Sequence, residues 1–65
     1  MSPPMIHVTM SVGAHDMYTH HVGKFIKRKE AFREAKRAAG IPHKFVMAGE
    51  KAGYSGPHGT AWIME

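Results

Sequence analysis

A chain of 65 residues has room for one hydrophobic core and therefore for one domain. It contains no cysteine, which excludes disulfides and thiolate metal sites, so stability rests on packing, on a metal held by histidines, or on a partner that completes the core. Nine Lys and Arg against five Asp and Glu give a net charge of +4 with the six histidines neutral, a balance that favours polyanionic partners.

Ser2-Pro3-Pro4 resist regular structure. From Met5 to Val12 apolar and polar side chains alternate with period two, which predicts a half-buried strand ended by Gly13. The segment from Ala14 to Gly23 has no clear period, carries His15, Asp16, Tyr18, His20 and His21, and reads as a loop.

Helical periodicity starts at Lys24 and runs to Ala39. Phe25, Ala31, Phe32, Ala35, Ala38 and Ala39 share one side, while Lys29, Arg33, Lys36 and Arg37 share the other. Arg28 projects into the apolar stripe and Ile26 falls outside it. Either the regular helix begins nearer Lys29, or Arg28 lays its stem over the core and lifts its charge to water. The end is sharply marked: Gly40 suits the cap, Ile41 can fold back on the last turn, and Pro42 blocks further helix. Glu30 and Glu34 in the first half and Lys36 and Arg37 in the last turn complement the helix dipole.

Lys44 to Ala48 and Thr60 to Met64 are short apolar runs that predict a second and a third strand. Gly49 to Gly59, with four glycines and a proline, reads as a loop or tight turns. The expected fold is α+β: one amphipathic helix packed on a small two- or three-stranded sheet, in a single domain. No apolar run approaches the length of a membrane span and the N-terminus lacks a secretory pattern, so the expectation is a soluble, cytoplasmic chain with no membrane partner.

Seven of the nine basic residues fall between Lys24 and Arg37. Such a concentration can track a phosphate backbone, with Lys29, Arg33, Lys36 and Arg37 as the contacts, and it can equally be a solvated helix face. Among groups able to do chemistry, histidine dominates. His20-His21 stand before a basic helix, where a neutral imidazole can act as base or metal ligand, but adjacent residues of an extended segment point opposite ways. His58, in Gly56-Pro57-His58-Gly59, sits in a turn whose small neighbours allow close approach; the same turn can serve only to reverse the chain. Trp62 is either a core anchor or a stacking platform for a base. The methionines either fill core gaps or line an adaptable surface where a protein partner completes the core. The signatures of NTPases, dinucleotide-binding enzymes and zincins are missing.

The run Glu30-Ala31-Phe32-Arg33-Glu34-Ala35-Lys36-Arg37-Ala38-Ala39-Gly40-Ile41-Pro42 resembles a helix of C-terminal toxin domains in bacterial polymorphic, Rhs-type toxins, grouped with HNH/endonuclease VII-like nucleases. Gly56-Pro57-His58 is similar to the Gly-Pro-His that such toxins carry near their catalytic end. The resemblance covers about a fifth of the chain. It implies a metal-dependent DNase toxin domain or its remnant, acting on DNA rather than RNA, in which a hairpin precedes the helix. His58 and His21 would be the catalytic residues, and a divalent ion (Mg²⁺, Mn²⁺ or Zn²⁺) would sit on the scissile phosphate. It also implies a fragment of a longer toxin domain, delivered into a target cell's cytoplasm. The chain departs from the pattern in the short interval between Pro42 and His58, in Gly59 after His58, and in a helix without histidine or asparagine. His20-His21 stand directly before the helix, which leaves no room for the second strand of a hairpin. A DNA- or RNA-binding protein without catalysis and a small protein-interaction module are the alternatives.

Overall fold

The computed structural model describes residues 5–13 and 18–65; Ser2-Pro3-Pro4 and His15-Asp16 lie outside the described residues. Strand β1 (Ile6–Val12) follows the alternation in the sequence, with Ile6, Val8 and Met10 buried. Strand β2 (Tyr18–Phe25) returns antiparallel along it, from Val12 opposite Tyr18 to Ile6 opposite Phe25. The register slips between Val8 and Thr9, which face Gly23 and His21, so Val22 is an extra residue in a bulge.

Helix α1 (Arg28–Ala39) is twelve residues long, four fewer than the periodicity from Lys24 suggests. Phe25 belongs to β2, Ile26 is exposed, and Lys27 precedes the first turn in an extended conformation. Ala31, Ala35 and Ala39 recur every four residues and are fully buried, which lets the helix axis lie close to the sheet. At the other end the Gly40 N–H donates to the Lys36 carbonyl at 3.1 Å. Gly40 has φ +90°, a conformation natural only to glycine. Ile41 does not fold back on the last turn; it is 86% exposed.

Strands β3 (Lys44–Ala48), β4 (Lys51–Gly56) and β5 (Gly59–Met64) form two tight hairpins. β5 closes the sheet by pairing antiparallel with β1, giving the order β2-β1-β5-β4-β3. The fold is therefore one helix on a five-stranded antiparallel sheet, and the expectation of two or three strands is wrong. Both overlooked strands came from segments read as loops. β2 lies at an edge with no buried residue, so it leaves no period-two signal. β4 carries Gly53, which sits where the Ala61 carbonyl and the Trp62 ring come too close for a Cβ; its glycine marks close approach rather than a turn.

Ile6, Val8, Met10, Ala31, Ala35, Ala61 and Ile63 form the core, with Phe25, Phe32, Ala38 and Tyr54 packed around it. Trp62 alternates with buried Ala61 and Ile63, so it lies on the sheet face away from the helix and crosses Gly53 there. It is not the anchor of the helix–sheet core.

Candidate nucleic-acid interface

The 3.6-residue turn splits the exposed surface of α1 into two flanks. Glu30 and Glu34 fall on one; Arg28, Lys29, Phe32, Arg33 and Lys36 fall on the other and line a groove of about 550 Å³. Contacts across to β4 fix which way this cationic flank looks. The Phe32 ring meets the Tyr54 ring edge-on at 6.2 Å, and the Lys36 Nζ lies 5.4 Å from the centre of the Tyr54 ring. Arg28 places its guanidinium 5.7 Å from the Phe32 ring centre and pairs with the Glu65 carboxylate. With both partners exposed, that ion pair contributes little to stability.

Beyond the helix the sheet continues uncovered. Phe45 and Met47 of β3 alternate onto the helix side of the sheet, opposite Tyr54 and Ala52, yet are 51% and 65% exposed. Tyr54 is the hub of this floor, with His43 edge-on at 5.4 Å and Phe45 at 5.6 Å. His43 is itself held by an Nδ1–H bond to the Gly40 carbonyl at 3.1 Å. The result is an L-shaped surface: a wall of cations on α1 and an aromatic floor on β3 and β4. Among the described residues the only ion pair within 4.0 Å is Arg28–Glu65. Lys29, Arg33, Lys36 and Arg37 therefore present their charge without a described carboxylate against it.

Of the residues expected to bind phosphates, Lys29, Arg33 and Lys36 thus lie together on the groove, and Arg37 lies on the adjoining outer turn of the same helix. The aromatic floor was not legible beforehand, because Tyr54 lay in a glycine-rich segment and Phe45 read only as strand. The usable signal was the pairing of Phe45-x-Met47 with Ala52-x-Tyr54 across a two-residue turn.

The histidines are distributed differently. His20 and His21 belong to the second strand of a hairpin that does precede the helix, contrary to the expectation that no room remains for one. They point to opposite faces, as consecutive strand residues must. His21 meets His7 on the face away from α1, with Nδ1 of His7 3.3 Å from Nε2 of His21 and ring centres 5.5 Å apart. His58 occupies the turn between β4 and β5. Its N–H donates to the Ala39 carbonyl at 3.0 Å and its ring packs over Gly40, so the Gly-Pro-His turn ties the β4–β5 hairpin to the end of the helix and satisfies one of its terminal carbonyls. His21 and His58 are thus engaged with different partners.

The buried side of the helix carries Ala31, Ala35 and Ala39, which offer no ligand, and His21 lies on the other face of the sheet. Among the described residues no three His, Asp or Glu side chains gather as a metal site, and no helix is long and apolar enough to cross a membrane. Comparison with family models, curated proteins and solved structures finds no match to this chain.

Proposed function

We propose that this domain binds nucleic acid without cleaving it, taking a single strand across the cationic flank of α1 and the adjoining aromatic floor of β3 and β4. The observation that carries the reading is the junction of the two: Lys36 of α1 lies over Tyr54 of β4, beside half-exposed Phe45. Phosphates need mobile, unpaired cations, and unstacked bases need an accessible ring within reach of them. Lys29, Arg33, Lys36 and Arg37 supply backbone contacts, which fix position but carry no sequence information. A duplex presents phosphates but buries its base faces, so the floor favours single strands.

Fluorescence anisotropy with labelled DNA and RNA strands of roughly ten nucleotides, within the usual site size of such grooves, tests this. Affinity is expected to fall steeply with salt, and the double variant Arg33→Glu, Arg37→Glu is expected to abolish binding at moderate ionic strength. Binding that survives this charge reversal overturns the proposal. Supercoiled plasmid incubated with Mg²⁺ or EDTA checks the other half: metal-dependent nicking that disappears in His58→Ala would replace the binding reading with the nuclease one.

A further inference from the structure

The sheet has two open edges, and only one is guarded. The β2 edge is broken by the bulge at Val22 and carries Lys24, His20 and His21, devices that discourage another strand from pairing there. The β3 edge is short, regular and apolar. Its five residues pair one-to-one with β4 without a slip, and its one charge, Lys44, stands at its start.

We infer that β3 is the interface of a symmetric dimer, in which the β3 strands of two copies pair antiparallel about Val46. Backbone alternation sets the register. The two-residue turn Gly49-Glu50 closes on the pair Ala48–Lys51, so Ala48, Val46 and Lys44 exchange hydrogen bonds with β4. The peptide groups of Phe45 and Met47 then point outward. Centring the pairing on Val46 sets Phe45 of each copy opposite Met47 of the other, so that the outward groups meet and all five residues are used. The same register places Lys44 opposite Ala48, never opposite another lysine, and therefore avoids a like-charge pair. A perpendicular two-fold axis leaves both helices on one face of a ten-stranded sheet. Half-exposed Phe45 and exposed Met47 from the two copies become a single apolar strip in its middle.

The thin core gives this pairing a physical reason. Four of its eight buried apolar residues are alanine, and Val8 is the largest side chain buried completely. A domain of this size without disulfides gains from a second copy. Pairing also extends the surface described above: the cationic flanks of two helices face each other across a floor four strands wide, roughly 15–20 Å at strand spacing. That consequence rests on the nucleic-acid reading; the dimer itself rests on the edge.

Sedimentation equilibrium of the whole chain without nucleic acid, from low micromolar to near-millimolar concentration, tests the dimer apart from any binding. The expected result is twice the chain mass at the upper end. Met47→Lys, which sets a charge in the strip, is expected to run as a monomer with an unchanged far-UV circular dichroism spectrum. Phe45→Pro, which removes an outward N–H but no bond to β4, serves as an independent second variant with the same expected outcome. In the wild type, the Phe45 and Met47 amides are expected to exchange more slowly as concentration rises. A wild type that stays monomeric throughout, a dimer that persists in both variants, or rapid exchange of both amides at the highest concentration would each overturn the proposal.

Discussion

The middle of the sheet and its β3 end differ in what covers them. At β1 and β5 the alanine stripe of α1 lies against Ile6, Val8, Met10, Ala61 and Ile63, and little water reaches any of them. At β3 the same face of the same sheet carries Phe45 and Met47 in contact with solvent. One helix of twelve residues is too narrow to roof five strands, so a sheet of this width leaves an open apolar end. Burial is concentrated where the helix lies, and exposed apolar surface where it does not.

This contrast predicts a steep ranking of substitution effects. Ala35→Asp buries an unpaired carboxylate between helix and sheet. It is expected to exceed the whole stability of a domain this small, about 3–5 kcal/mol, and to eliminate the cooperative thermal transition followed by circular dichroism. A retained transition would mean that the helix does not pack as described. Val8→Ala removes two buried methyl groups and leaves a cavity, with an expected loss of about 2–3 kcal/mol in urea denaturation. Gly53→Ala pushes a methyl group towards the Ala61 carbonyl and to 3.1 Å from the Trp62 ring. The expected loss is about 1–3 kcal/mol, which checks that β4 is a strand where its composition reads as loop.

At the uncovered end the order reverses. Phe45→Ala is expected to change stability by less than about 1 kcal/mol while weakening single-strand binding by about 1–3 kcal/mol, the usual worth of one base–aromatic stack. Equal losses in folding and binding would erase the distinction between the covered middle of the sheet and its β3 end. The smallest effect on stability belongs to Arg28→Ala, because the exposed pair with Glu65 is worth about 0–1 kcal/mol, whereas Lys29→Ala, which removes one phosphate contact, is expected to lower the dependence of log affinity on log salt by about 0.7.

Much of the candidate site was legible in the chain. The segregation of Lys29, Arg33 and Lys36 from the alanine stripe follows from the helical step, and the structure keeps these residues on one surface because the stripe is held down by the sheet. The choice between a solvated face and a binding face depends on what lies beside it, and the aromatic floor comes from strands that are distant in sequence from the helix. His21 and His58 looked alike as reactive side chains. Their surroundings separate them, one against His7 and the other against Gly40.

The sequence by itself determined β1, the alanine-faced helix and its end at Gly40, because each of these has a local cause: an alternation, a 3.6-residue period, or a residue that alone tolerates positive φ. Tertiary structure decided the start of the helix, where Phe25 and Ile26 fit the apolar pattern or its margin but the backbone was already committed to β2 or to the connection. It also decided that β2 and β4 are strands and that Trp62 faces away from α1. An edge strand wet on both faces has no periodic signature, and a glycine required by an approaching carbonyl is spelled the same way as one required by a turn. In each case, what fixes the backbone is a neighbour supplied by another part of the chain.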